Sequence, residues 1–67
     1  MDIYRVVEDA DFWRVEKKFF FGWMTVEKEQ KGYASNSRHI GNSFAKFYKC
    51  PLITLEGKEE TWQREEK

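Results

Sequence analysis

The side chains able to do chemistry are few and poorly spaced for it. His39 is the only histidine and Cys50 the only cysteine. A nucleophile needs a base within hydrogen-bond reach and a third group that orients the base. If His39 and Cys50 share one helix, they stand about 16 Å apart along its axis and cannot meet. Two soft ligands also fall short of the set that a structural zinc site requires. No metal and no other cofactor is expected. Cys50, just before Pro51, reads as a small packing residue, and His39 as a solvated or capping one. Carboxylates occur in pairs at Asp9/Asp11, Glu59/Glu60 and Glu65/Glu66. General acid–base work needs one carboxyl desolvated in a cleft. These pairs fall at expected turns or in the C-terminal segment, where water screens them. The glycines are scattered, so no phosphate-cradling loop is present. The expectation is a protein that is not an enzyme.

Binding is better served. Residues 31–50 hold Lys31, Arg38, Lys46 and Lys49 with no acid, interleaved with Tyr33, Phe44, Phe47 and Tyr48. Cations for phosphate and rings for bases are what a single-stranded nucleic acid or nucleotide site uses. Lys31, Tyr33, Arg38, Lys46, Tyr48 and Lys49 form that candidate set. A solvated helix face accounts for the same cations, and Phe44 and Phe47 fall on an expected core stripe. The second candidate lies in the dense block from Phe12 to Val26. Read as a hairpin, its second strand is apolar on both faces. Phe19, Phe21 and Trp23 share one, and Phe20, Met24 and Val26 the other. A helix covers only one side of a sheet, so Phe20, Met24 and Val26 are expected to form a protein interface, with Trp62 closing or lidding it. If the sheet instead curls into a small barrel, the same residues are core.

These residues need elements to position them. Ile3 to Val7 is short and β-branched, consistent with a strand. Phe12 to Lys17 alternates, with Trp13 and Val15 on one face and Arg14 and Glu16 on the other. Lys17-Lys18 is taken as the hairpin turn, though it lacks the Asn-Gly chemistry of the best two-residue loops. The return strand runs Phe19 to Val26, with Gly22 marking a bulge or a close approach. Glu27 to Ser37 reads as a loop. Ile40, Phe44, Phe47 and Tyr48 then recur at helical spacing. Ser37 or Ser43 would cap that helix, and Pro51 stops it at Cys50. Gly41 weakens the first turn by about 1 kcal/mol relative to alanine, which would allow a start as late as Ser43. A strand over Phe44 to Tyr48 is the competing assignment. Leu52 to Glu56 is a further strand, Gly57-Lys58 a turn, and Glu59 to Trp62 a returning strand.

Length limits the rest. The 67 residues make one domain at most. A domain this small buries only about 60% of its unfolded surface. A single cysteine rules out an internal disulfide, so aromatic burial must compensate, and aromatic content is indeed high at 18%. The formal net charge is zero, which excludes a strong overall field. No apolar run is long enough to span a bilayer, and Met1-Asp2-Ile3-Tyr4-Arg5 lacks the layout of a secretory signal. A cytoplasmic protein with no membrane partner is expected.

The sequence therefore predicts an α+β fold. It comprises a small antiparallel sheet of three to five strands centred on residues 19–26, with one helix over about residues 37–50. Residues 1–62 form the single domain and 63–67 a charged, frayed tail. The expected function is a protein-interaction module that binds a partner protein or self-associates through its sheet. An accessory, inhibitory or regulatory protein of bacterial or phage type fits that size. Nucleic-acid or nucleotide binding through residues 31–50 is the alternative.

Overall fold

The computed structural model describes residues 2–32 and 37–61. Trp62, Tyr33 and the expected tail 63–67 lie outside the described residues. The chain forms β1 (Tyr4–Glu8), β2 (Phe12–Phe19), β3 (Gly22–Gln30), α1 (Arg38–Tyr48), β4 (Pro51–Ile53) and β5 (Glu59–Thr61). The five strands make one sheet in the order β3-β2-β1-β4-β5. The α+β class, the strand number and the single helix are as the sequence predicts. Two features differ. β1 and β4 pair in parallel, so the sheet is mixed. The strand expected at the centre, β3, is at the edge, and β1 takes the middle.

The hairpin also turns later than predicted. β2 runs through Lys17 and Lys18 to Phe19, and Phe20-Phe21 make the loop, with Phe19 opposite Gly22. Gly22 has φ +133°, a conformation that side chains resist. Lys17-Lys18 has no such residue beside it, so the glycine sets the turn. The shift carries β3 on to Gln30, through residues expected to be loop. The pairing register sets the faces. Trp13, Val15 and Lys17 lie on the helix side with Tyr4, Val6 and Glu8. Met24 pairs with Lys17 and joins that side, whereas Trp23 pairs with Lys18 and joins the open side. Val26 is an extra residue, because Glu16 pairs with Thr25 but Val15 with Glu27. This is a β-bulge, and it breaks the strict alternation that the sequence reading assumed.

The helix packs on one face of the sheet over Val6, Trp13, Val15 and Leu52, with Ala45 and Cys50 completing the buried core. Tyr4, Ile40, Phe44 and Tyr48 pack around it. Phe47 does not belong to the stripe, being 78% exposed. At 100° per residue the buried arc centres on the small pair Gly41 and Ala45, and Phe47 lies about 140° from that centre, on the far side of the helix. The helix starts at Arg38 rather than Ser43, despite Gly41. Gly41 is required there, since an added Cβ would lie 2.6 Å from the Trp13 ring. Ser37 holds the N-cap position without a side-chain cap bond. Its Oγ instead accepts from Trp13 Nε1 at 3.3 Å. Tyr48 is the last helical residue, Lys49 adopts the left-handed conformation (φ 55°), and Pro51 opens β4, where an absent N–H costs least.

One polar knot ties three connections together. Glu8, at the end of β1, accepts from Lys31 Nζ at 2.8 Å and from the Leu55 backbone N–H at 2.9 Å. Desolvation pushes its pKa up. The Lys31 and Leu55 hydrogen bonds and the charges of Lys31 and Arg38 outweigh that, so the net shift is downward. A carboxylate with a lowered folded-state pKa contributes stability above its unfolded pKa, and loses it as pH falls through the folded value. Wild-type protein should therefore exceed Glu8→Gln in urea midpoint at neutral pH. The difference should close on acidification below about pH 4. A constant difference across that range would show that Glu8 is not held as a carboxylate.

Candidate interaction surfaces

The hairpin of β2 and β3 outreaches the helix. The helix ends where Tyr48 lies on Tyr4, with ring centroids 4.7 Å apart, and Tyr4 pairs with Lys17. From that level the hairpin continues through Lys18 and Phe19 to Phe20, an overhang of about 10 Å at the rise of a β-strand. Its tip is aromatic. Phe19 and Phe21 stack with centroids 5.3 Å apart, and Phe20 meets Phe21 edge-on at 5.2 Å. Phe20 is 100% exposed, Phe21 60% and Met24 46%. Exposed Phe47 belongs to the same end, beside Tyr48 at 5.1 Å. Ile3, whose carbonyl accepts from the Lys18 N–H, is there too. Most of the exposed large apolar side chains thus gather at one end of the molecule.

The expected trio of Phe20, Met24 and Val26 is exposed, as an interface requires, but it does not share a face. Phe20 is in the loop, Met24 on the helix side and Val26 in the bulge. Sequence reasoning missed Phe21 and Phe47 as exposed residues. Phe21 was placed inside a strand, and Phe47 within the helix stripe. The signal that could have found Phe21 is Gly22, the only residue of the block suited to follow a tight turn.

The basic segment 31–50 does not form one patch. Lys31 is engaged by Glu8 and stands 5.6 Å from the Trp13 ring. Arg38 pairs with Glu60 and donates to Asn42 at 3.3 Å. Both belong to the N-terminal end of the helix, whereas Lys46, Tyr48 and Lys49 belong to the other. The Tyr48 hydroxyl donates to Glu27, and that bond first, with desolvation second, pushes its pKa up to about 12. Tyr48 is therefore neutral and held, with its ring on Tyr4.

A second surface is the sheet face away from the helix. Glu16 lies there, nearly buried between two arginines. Arg5 Nε donates to Glu16 Oε1 at 2.7 Å, and Arg14 donates to the other carboxylate oxygen. Arg14 Nε also donates to Asp9 Oδ2 at 2.6 Å. The Arg14 pKa is raised, chiefly by the Asp9 hydrogen bond; desolvation opposes and Glu16 assists. Arg5 stacks 4.0 Å above the Trp23 ring. The bulge at Val26 borders a shallow cavity of about 400 Å³ lined by Arg14, Thr25, Val26, Glu27 and Lys28.

His39 and Cys50 stand at opposite ends of the helix. Burial pushes the Cys50 thiol up to about 11, so the nucleophilic thiolate is scarce at neutral pH. Among the described residues no group of three or more His, Cys, Asp or Glu side chains could hold a metal ion. No described helix is long and apolar enough to cross a membrane. No protein-family model, curated protein or solved structure matches the chain.

Proposed function

We propose that this chain is a non-enzymatic protein-interaction module that docks through its overhanging hairpin tip. The observation that carries the reading is Phe20, a phenylalanine with its whole side chain in water, packed edge-on against the half-bare Phe21. Exposed clusters of large apolar side chains on small proteins mark interaction sites. Burying each of these rings in a partner would contribute about 1.5–3 kcal/mol. Aromatic side chains are also the usual anchors of interface energy. The partner is another protein or a second copy of the chain.

The tip is favoured over strand addition at the β3 edge. The outer half of β3 is Glu27-Lys28-Glu29-Gln30, preceded by the bulge. Alternating charges and a bulge are the devices by which edge strands resist pairing with another chain.

Phe20→Lys and Met24→Lys replace exposed side chains, so both variants should fold as the wild type does by circular dichroism. Sedimentation across a concentration series should show association of the wild type that both variants lose. If the wild type is monomeric throughout, affinity capture should retain a protein on the wild type and not on the variants. Unfolded variants would place these residues in an intramolecular core. Identical binding by all three proteins would remove the tip from the interface.

A further inference from the structure

We infer that the helix-free face of the sheet is a second binding surface, a platform for single-stranded nucleic acid laid along β2 and β3. The surface is distinct from the phenylalanine tip, and the inference stands apart from the protein-docking reading. Pairing register sets its layout. Phe12 lies at one end and Trp23, opposite Lys18, at the other. The two rings are about 20 Å apart along the strands at ~3.3 Å per residue. Between them come Arg14 opposite Lys28, then Glu16 opposite Thr25 with Arg5 alongside. Rings at both ends with cations between are the components that bind an unpaired strand; Arg5 lies 4.0 Å over Trp23, so at that end a base stacks on the guanidinium plane that the indole backs.

Charge identifies the occupant. The two acids of this stretch are already matched, Glu16 by Arg5 and Arg14, and Asp9 by Arg14. Lys18 and Lys28 form no ion pair among the described residues. Instead each ammonium stands over a ring of the platform, Lys28 4.8 Å from Phe12 and Lys18 5.6 Å from Trp23. The surface thus keeps uncompensated positive charge in a molecule whose formal net charge is zero. The cavity under the bulge lies between the rings and offers Arg14, Lys28 and the Thr25 hydroxyl. Glu27, the acid in its wall, pairs with Val15 on the helix side and accepts from the neutral Tyr48 hydroxyl, so it keeps its negative charge but is held toward the helix. Bulges of this kind re-aim side chains and occur next to functional sites. A platform of rings and exposed cations fits a flexible strand with splayed bases better than a stiff duplex.

The test uses the full chain and a fluorescein-labelled oligothymidylate, read by polarisation at low salt. Binding is expected, weaker for a duplex of equal length. The logarithm of affinity should fall against the logarithm of salt with a slope of about −2, as for some three phosphate contacts on a single strand. Lys28→Glu and Lys18→Glu should each weaken binding several-fold and flatten the slope by about one. Trp23→Leu, checked for folding by circular dichroism, should weaken it at least about fivefold through lost stacking. Lys46→Glu, on the helix, and Phe20→Lys, at the tip, should leave it unchanged. Absence of binding at low salt overturns the inference. So does a loss from Lys46→Glu equal to that from Lys28→Glu, since charge anywhere on the surface would then suffice. Loss of oligonucleotide binding in Phe20→Lys would move the site to the tip and overturn it as well.

Discussion

Truncation of Trp13 to alanine is expected to unfold most of the protein at physiological temperature. Among the described residues Trp13 is the largest fully buried side chain, 1% exposed. It stands between β2 and the first turns of the helix, holds Ser37 through its indole N–H, and receives Lys31 near its ring. Removing a buried tryptophan costs about 3–5 kcal/mol through lost transfer energy and the cavity left behind. A chain of this length has a total stability of about 3–10 kcal/mol at the usual value per residue. The core offers little redundancy, since among the described residues the other buried apolar side chains are Val6, Val15, Ala45, Cys50 and Leu52. Urea or thermal melts followed by circular dichroism will read the loss. Trp13→Phe keeps a ring and should fall between wild type and Trp13→Ala. A Trp13→Ala protein that melts within a few degrees of wild type would show that the indole is not the centre of the core.

What the sequence made legible follows from which signals are local. Alternation correctly placed Trp13 and Val15 on one face and Arg14 and Glu16 on the other, because a single unbroken strand carries them. Helical spacing from Ile40 to Tyr48, ended by Pro51, located the helix. The position of β3 was not legible, since edge or centre depends on which strand β1 takes as its second neighbour. That neighbour is β4, more than forty residues away in the chain. The faces of Trp23 and Met24 were misread for a different reason. A two-residue loop pairs odd-numbered with even-numbered residues whether it falls at Lys17-Lys18 or at Phe20-Phe21, so either turn puts Met24 rather than Trp23 on the side of Trp13 and Val15, and the misreading lay in grouping Trp23 with them. The bulge at Val26 then adds one more residue that no periodicity announces. Phe20 and Met24 are exposed, where the sequence left open a choice between interface and barrel core. The cations of residues 31–50 were legible as a composition but not as a surface. A helix separates its two ends, and Glu8 and Glu60 arrive from distant strands to engage Lys31 and Arg38.

Alanine at position 41 gives the sharpest test of how the helix is seated, because propensity and packing predict opposite signs. In an exposed helix, glycine to alanine stabilises by about 1 kcal/mol. Ser43→Ala, on the exposed side of the same helix, should follow that rule with a gain of a few tenths of a kcal/mol. Gly41 faces Trp13, and a Cβ there would lie 2.6 Å from Cε3 and Cζ3 and 2.8 Å from Cδ2. Atoms cannot approach so closely, so either the indole leaves its buried position or the helix lifts from the sheet. Overpacking of this kind costs about 1–3 kcal/mol, which exceeds the propensity gain over most of that range. Gly41→Ala is therefore expected to lower the melting temperature while Ser43→Ala raises it. The clashing atoms all belong to the six-membered ring of the indole. In a Trp13→Phe background, where the ring stops short of that position, the Gly41→Ala penalty should shrink, giving a coupling of about 0.5–3 kcal/mol. If both alanines stabilise alike, the helix does not rest on the indole. The close approach that fixes the helix axis over β2, and with it the level at which the hairpin overhangs, would then be wrong.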